Sequence, residues 1–149
     1  MTHQKVLTKI SFILTVIALT LVVVLMFAAP ALTKTYLELV ATHAQSYYAV
    51  VLLLAYAALA VAAIALCTLI NLLKTVAHGE IFSTTSYKIM TVLAVCCFLE
   101  MLVFLLLGYF FLLSYVISFA VLLVGVLLLV LRCVLAEAAE IKAENDYTV

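Results

Sequence analysis

The stretch from Ile89 to Leu131, IMTVLAVCCFLEMLVFLLLGYFFLLSYVISFAVLLVGVLLLVL, decides the fold. It runs for 43 residues, and Glu100 is its one charged side chain. A helix rises about 1.5 Å per residue and needs about 20 apolar residues to cross a hydrocarbon core about 30 Å thick, so the stretch is about twice as long as one span requires. Two helices must share it. The break falls in Gly108-Tyr109-Phe110-Phe111-Leu112-Leu113-Ser114-Tyr115, where glycine and serine provide a turn and the tyrosines suit an interfacial belt. This places one helix over about 89–110 and another over about 114–132.

Toward the N-terminus, residues 47–73 form a second uncharged run of 27, closed by Lys74. Within it Ala55, Ala58, Ala62 and Ala65 recur at spacings of three and four, a stripe of small side chains on which another helix backbone can approach closely. Residues 10–29 form a third run, after Lys5 and Lys9 and before Pro30. Its Ala29-Pro30-Ala31 mimics a leader-peptidase site, but the run exceeds the roughly 7–15 apolar residues of a signal peptide, so it is expected to be a retained helix that ends before Pro30.

Of the 149 residues 70% are hydrophobic and 9% charged, against about 45–50% and 25% in a soluble domain. Seven basic and seven acidic side chains cannot cover a water-soluble surface, and their balance leaves no basic excess for direct nucleic-acid binding. The expected fold is all-α: an integral membrane four-helix bundle in one domain, 1–149. Its spans are about 10–29, 47–73, 89–110 and 114–132, followed by a helical cytoplasmic C-terminal extension over 133–149. With four spans, Lys5, Lys9, Lys74, Lys88, Arg132 and Lys142 share one side and only Lys34 lies on the other. The positive-inside rule makes that a multi-pass protein of the inner (plasma) membrane with both termini cytoplasmic. The four cysteines, Cys67, Cys96, Cys97 and Cys133, sit in or beside apolar runs, which argues against a disulfide framework, and the vicinal pair reads as packing.

Glu100 carries the most physical information. It lies twelve residues, about 18 Å of helix, beyond Lys88, near the bilayer centre, where an acid costs about 2.5–3.5 kcal/mol on insertion scales. Desolvation there favours the neutral acid, which donates a hydrogen bond to a neighbouring helix. Thr20, at comparable depth in the first helix, is the candidate partner, and Tyr56 a poorer one. The alternative role is a proton- or cation-coupled site, but no second intramembrane charge accompanies it, so an interhelical hydrogen bond is favoured.

Between the second and third helices, Gly79 suits a helix end and Ser83 or Thr84 a helix start. His78 and Glu80 flank this turn without a third group that would make a metal or acid-base site. After Arg132 strong helix formers continue to Glu144, with Leu131, Val134, Ala138 and Ile141 on one face and Glu137, Glu140 and Glu144 on another. Such an acidic segment avoids anionic lipid and suits packing on the inner loop or a protein partner.

The inner motif His78-Gly79-Glu80-Ile81-Phe82-Ser83, taken with the closing Glu140-Ile141-Lys142-Ala143-Glu144-Asn145-Asp146-Tyr147-Thr148-Val149, resembles an uncharacterised family of small bacterial four-helix membrane proteins, a domain of unknown function. Members are often encoded beside a small Cro-like helix-turn-helix regulator, which implies a cytoplasmic partner in transcriptional control. The family supplies no catalytic residues to carry over.

Three function classes follow. The first is a regulatory or sensing membrane protein with a cytoplasmic partner, working through His78, Gly79, Glu80 and Phe82 in the loop and Glu140, Glu144, Asn145 and Asp146 in the tail. The second is a small proton-coupled transporter or multidrug-type exporter using Glu100, as a homodimer. The third is an immunity protein against a membrane-active peptide. No enzyme activity, cofactor or metal is expected, because His3, His43 and His78 are scattered and no serine or cysteine has a base in reach by spacing.

Overall fold

Only three glycines and one proline punctuate the chain, so little in it stops a helix. The computed structural model of the protein describes residues 2–39, 46–77 and 83–147. Four helices account for nearly all of them: α1 (Thr2–Leu39), α2 (Tyr48–Ala77), α3 (Thr84–Leu107) and α4 (Leu113–Tyr147). Each is long and apolar enough to cross a membrane. Large apolar side chains point outward on every helix, among them Phe27, Leu53, Leu102 and Leu127. The inner contacts are made by Leu37, Val51 and Ala94 together with the hydroxyl residues Thr15, Ser86, Ser114 and Ser118. Hydrocarbon thus lies outside as well as inside, unlike a soluble protein, and several hydroxyl side chains sit between the helices beside the apolar ones.

Among the described residues α1 packs on α2, α2 on α3 and α3 on α4, and no other pair of helices packs. The helices therefore follow one another antiparallel in an open series, and α1 does not close onto α4. One end of the series is tied by aromatic rings. Tyr36 of α1 meets Phe111 of the α3–α4 turn edge-on at 4.6 Å between centroids, and Tyr47 meets Phe110 at 5.8 Å. Edge-to-face geometry sets the positive rim of one ring against the negative face of the other.

The end of α1 differs from that expected. Helix α1 does not end at Ala29 but carries Pro30 inside it and continues to Leu39. Proline removes a single N–H from the helical ladder, and buried Ala29, Thr33 and Leu37 on either side hold the backbone against α2. The hydroxyl of Tyr48, at the start of α2, donates to the Pro30 carbonyl at 3.3 Å. Helix α4 passes Arg132 without a break and continues to Tyr147, so the helical continuation expected there is part of α4 itself. Its first turn past Arg132 is still packed on α3, because the Tyr87 hydroxyl donates to the Leu135 carbonyl at 3.3 Å. The face expected to pack in this part of the chain also changes. Leu131, Val134 and Ile141 are exposed, while Leu135, Ala138 and Ala139 are half-buried.

The start of α3 is fixed locally. Ser83 is extended at φ −83° and ψ 151°, and its hydroxyl accepts from the backbone N–H of Ser86. That satisfies one of the donors a helix N-terminus leaves open. The far end of α3 closes through Gly108, whose N–H reaches the Phe104 carbonyl at 2.9 Å, and Phe111, whose N–H reaches that of Leu107 at 2.9 Å.

Candidate functional site

Small residues set how closely α3 and α4 lie. Ser118 is buried and donates its hydroxyl to the Met101 carbonyl at 2.9 Å, an interhelical hydrogen bond one residue from Glu100. Such bonds contribute about 0.6 kcal/mol in membrane proteins. Gly125, two turns further along α4, comes so close to α3 that a Cβ placed on it would stand 3.2 Å from the Cβ of Cys97 and 3.7 Å from the Ala94 carbonyl oxygen. Moving away from the turn, Gly108 faces Tyr115, Met101 faces Ser118, Cys97 faces Gly125 and Tyr87 faces Leu135. This is one continuous antiparallel register along the whole of α3.

Helix α3 thus has α4 pressed on one flank and α2 on the other, and a groove remains over it between the two. It has a volume of about 520 Å³, within the range of about 300–1,000 Å³ usual for small-molecule sites. Helix α2 contributes Val61, Ala62, Ala65 and Leu66, and α4 contributes Val116, Ile117, Ala120, Val121 and Val124. Cys96, Cys97 and Glu100 of α3 complete the lining. Ala62, Ala65 and Ala120 are the smallest side chains in this lining and leave the walls without bulk at three positions. Two alanines of the α2 stripe therefore make space in place of close contact, while Ala58 is the buried one.

The Glu100 carboxyl is the chemically distinctive group in this lining. Its Oε2 is buried and has no hydrogen-bond partner. Thr20 does not supply one. It lies exposed on α1, which packs only on α2, and its hydroxyl donates at 2.9 Å to the Val16 carbonyl of its own helix. A helical threonine satisfies its hydroxyl on the carbonyl one turn back, which it shares with the backbone N–H, and depth along two helices does not make them neighbours. Tyr56 is half-buried on α2 and is absent from the groove lining. The expected interhelical hydrogen bond from Glu100 is thus not formed with either residue.

The remaining candidates lie apart from this groove. His78, Gly79, Glu80 and Phe82 fall outside the described residues. Glu140 and Glu144 are exposed on α4, with Glu137 one turn before them. Asn145 and Asp146 belong to the last turn of the same helix. All four cysteines are free, Cys96 buried, Cys97 half-buried, Cys67 and Cys133 exposed. Among the described residues no three His, Cys, Asp or Glu side chains gather where they would hold a metal.

Gly125 and Ser118 were not apparent as structural residues from hydrophobic pattern alone. The spacing of Ser114, Ser118 and Gly125, at four and seven, is the small-residue signal that marks this face of α4.

Comparison with protein families matches residues 32–149 to a model described as "Protein of unknown function (DUF2975)". No curated protein and no solved structure matches the chain.

Proposed function

Because this chain belongs to the family DUF2975, whose description assigns no activity, we propose a function from its geometry: a multi-pass bacterial membrane protein that senses occupancy of the Glu100 groove and signals it to a cytoplasmic partner. One observation carries this reading, the continuity of α4. The same helix that walls the groove with Val116, Ala120 and Val124 runs unbroken to Tyr147 and displays Glu137, Glu140 and Glu144 beyond it. From Val121 to Glu140 is about 28 Å along a helix axis, so a shift at the groove moves the acidic face as a rigid rod.

The membrane assignment draws on the four long apolar helices and on the six-to-one split of basic residues, which supports an inner-membrane protein with both termini cytoplasmic. Reporter fusions after Thr42, Ser83 and Val149 are then expected to report outside, inside and inside. An external C-terminus removes the orientation on which the partner depends.

The acidic end of α4 carries like charges that an anionic leaflet repels, so its counterpart is a protein. The resemblance to small membrane proteins found beside regulators makes a helix-turn-helix regulator the partner class. Deleting 140–149 is expected to leave membrane insertion intact, since the apolar part of α4 ends earlier, and to abolish co-purification with such a regulator. Retained co-purification would shift recognition to the segment between α2 and α3.

A second reading, transport, is favoured by the unpartnered carboxyl of Glu100, a residue that lines the groove. A flux across vesicles that Glu100→Gln abolishes, with folding unchanged, would establish it over sensing.

A further inference from the structure

We propose that the groove over α3 binds a lipophilic amine, held by its ammonium on the Glu100 carboxyl and by its apolar body along the alanine-lined walls. The proposal deepens the sensing reading and rests on it for the role of the site. Charge complementarity points to the ligand. Glu100 is the one ionisable carboxyl among the residues that line the groove, whose other walls are hydrocarbon and two thiols, and one of its oxygens is buried without a partner. Charge in such surroundings is stabilised only by a counter-charge with good hydrogen bonds.

Other occupants satisfy the site less well. An acyl chain fills the walls but brings no charge to match the Glu100 carboxyl. A bound water needs two to four polar partners, and the lining supplies one carboxyl. A hard metal ion needs about six oxygen ligands, and a single carboxylate stands here. An ammonium with an apolar body matches both parts, since its N–H groups donate to the carboxylate while the rest replaces lipid against Ala62, Ala65 and Ala120.

The test uses the full chain in lipid nanodiscs with three ten-carbon probes that differ only in head group: decylamine, decanol and decanoate. Saturable decylamine binding above the empty-nanodisc background is expected, weakened about tenfold or more by Glu100→Gln, which at tenfold is about 1.4 kcal/mol. Decanol is expected to bind weakly and equally to both chains, and decanoate not at all. Ala120→Phe, which fills the groove, is expected to remove decylamine binding while leaving the Glu100 carboxyl in place. A measurement on the unmodified chain stands beside these: decylamine, but not decanol, slows maleimide labelling of Cys97, which lines the same groove.

Equal binding of amine and alcohol, unaffected by Glu100→Gln, overturns the proposal in favour of a lipid chain. Absence of saturable binding in a chain that runs as a dimer, with the dimer lost in Ala120→Phe, overturns it in favour of a second copy seated in the groove. Glu100-dependent amine binding that leaves regulator co-purification unchanged keeps this proposal and removes the sensing role. Loss of Glu100 dependence with tail-dependent co-purification intact removes this proposal alone.

Discussion

Replacing Gly125 by leucine is expected to lower the thermal midpoint of the purified protein by roughly 6–12 °C, corresponding to about 3 kcal/mol for a chain of this size. The physical reason is that the space is already full. A single Cβ at this position would lie 3.2 Å from the Cys97 Cβ and 3.6 Å from Cζ of Phe98, with the Ala94 carbonyl oxygen at 3.7 Å. Part of that wall is backbone, which cannot swing aside. Four added carbons must push α4 off α3, and the Ser118 to Met101 hydrogen bond is lost with the separation.

Gly108 provides the contrast. A Cβ there would meet the Tyr115 ring at 2.5–2.7 Å, a shorter distance than any at Gly125. Yet Tyr115 is 43% exposed, and its ring is free to turn outward. Gly108→Ala is therefore expected to cost less than Gly125→Leu despite the worse initial contact. An unchanged midpoint for Gly125→Leu would mean that α3 and α4 do not approach as closely as described, and the register along α3 would fall with it.

The opposite sign is expected at Glu100. Glu100→Leu should raise the stability of the folded chain by about 1–3 kcal/mol, the cost of a buried polar atom left without a partner, and should abolish decylamine binding. It should also improve membrane insertion, because an acid near the middle of a span opposes it by about 2.5–3.5 kcal/mol. Glu100→Gln keeps the size and the polar end, so its stability is expected to remain near that of the natural chain while amine binding falls. A gain in stability coupled to a loss of binding is the mark of a group kept for function. If Glu100→Leu melts at or below the natural chain, the carboxyl has a partner in the folded protein and is structural.

These two positions show why the chain is readable in one respect and not in another. Length and hydrophobic pattern alone determine that there are four long apolar helices. In 43 residues with a single charge, two helices are needed, and glycine with serine marks the turn between them. The family, too, was legible in the acidic closing motif and the inner turn, and the match over 32–149 agrees. Glu100 stands out in the sequence because an acid amid hydrocarbon requires an explanation.

Which helix neighbours which was not legible, and neither was the inward face of each. A helix that is apolar all round has no amphipathic stripe to orient it, so Leu131, Val134 and Ile141 looked as fit to pack as Leu135 and Ala139. Helix contacts in such a chain are chosen by small side chains and hydroxyls that let backbones approach, here Ser118 and Gly125. The tertiary structure alone decides that α1 stays away from α3, that Thr20 therefore never reaches Glu100, and that Pro30 lies inside a helix. It also decides that Ala62, Ala65 and Ala120, from helices distant in sequence, open a groove above one carboxyl. Hydrophobicity acts residue by residue and is written along the chain, whereas packing depends on which surfaces meet, and that is defined only once the helices are side by side.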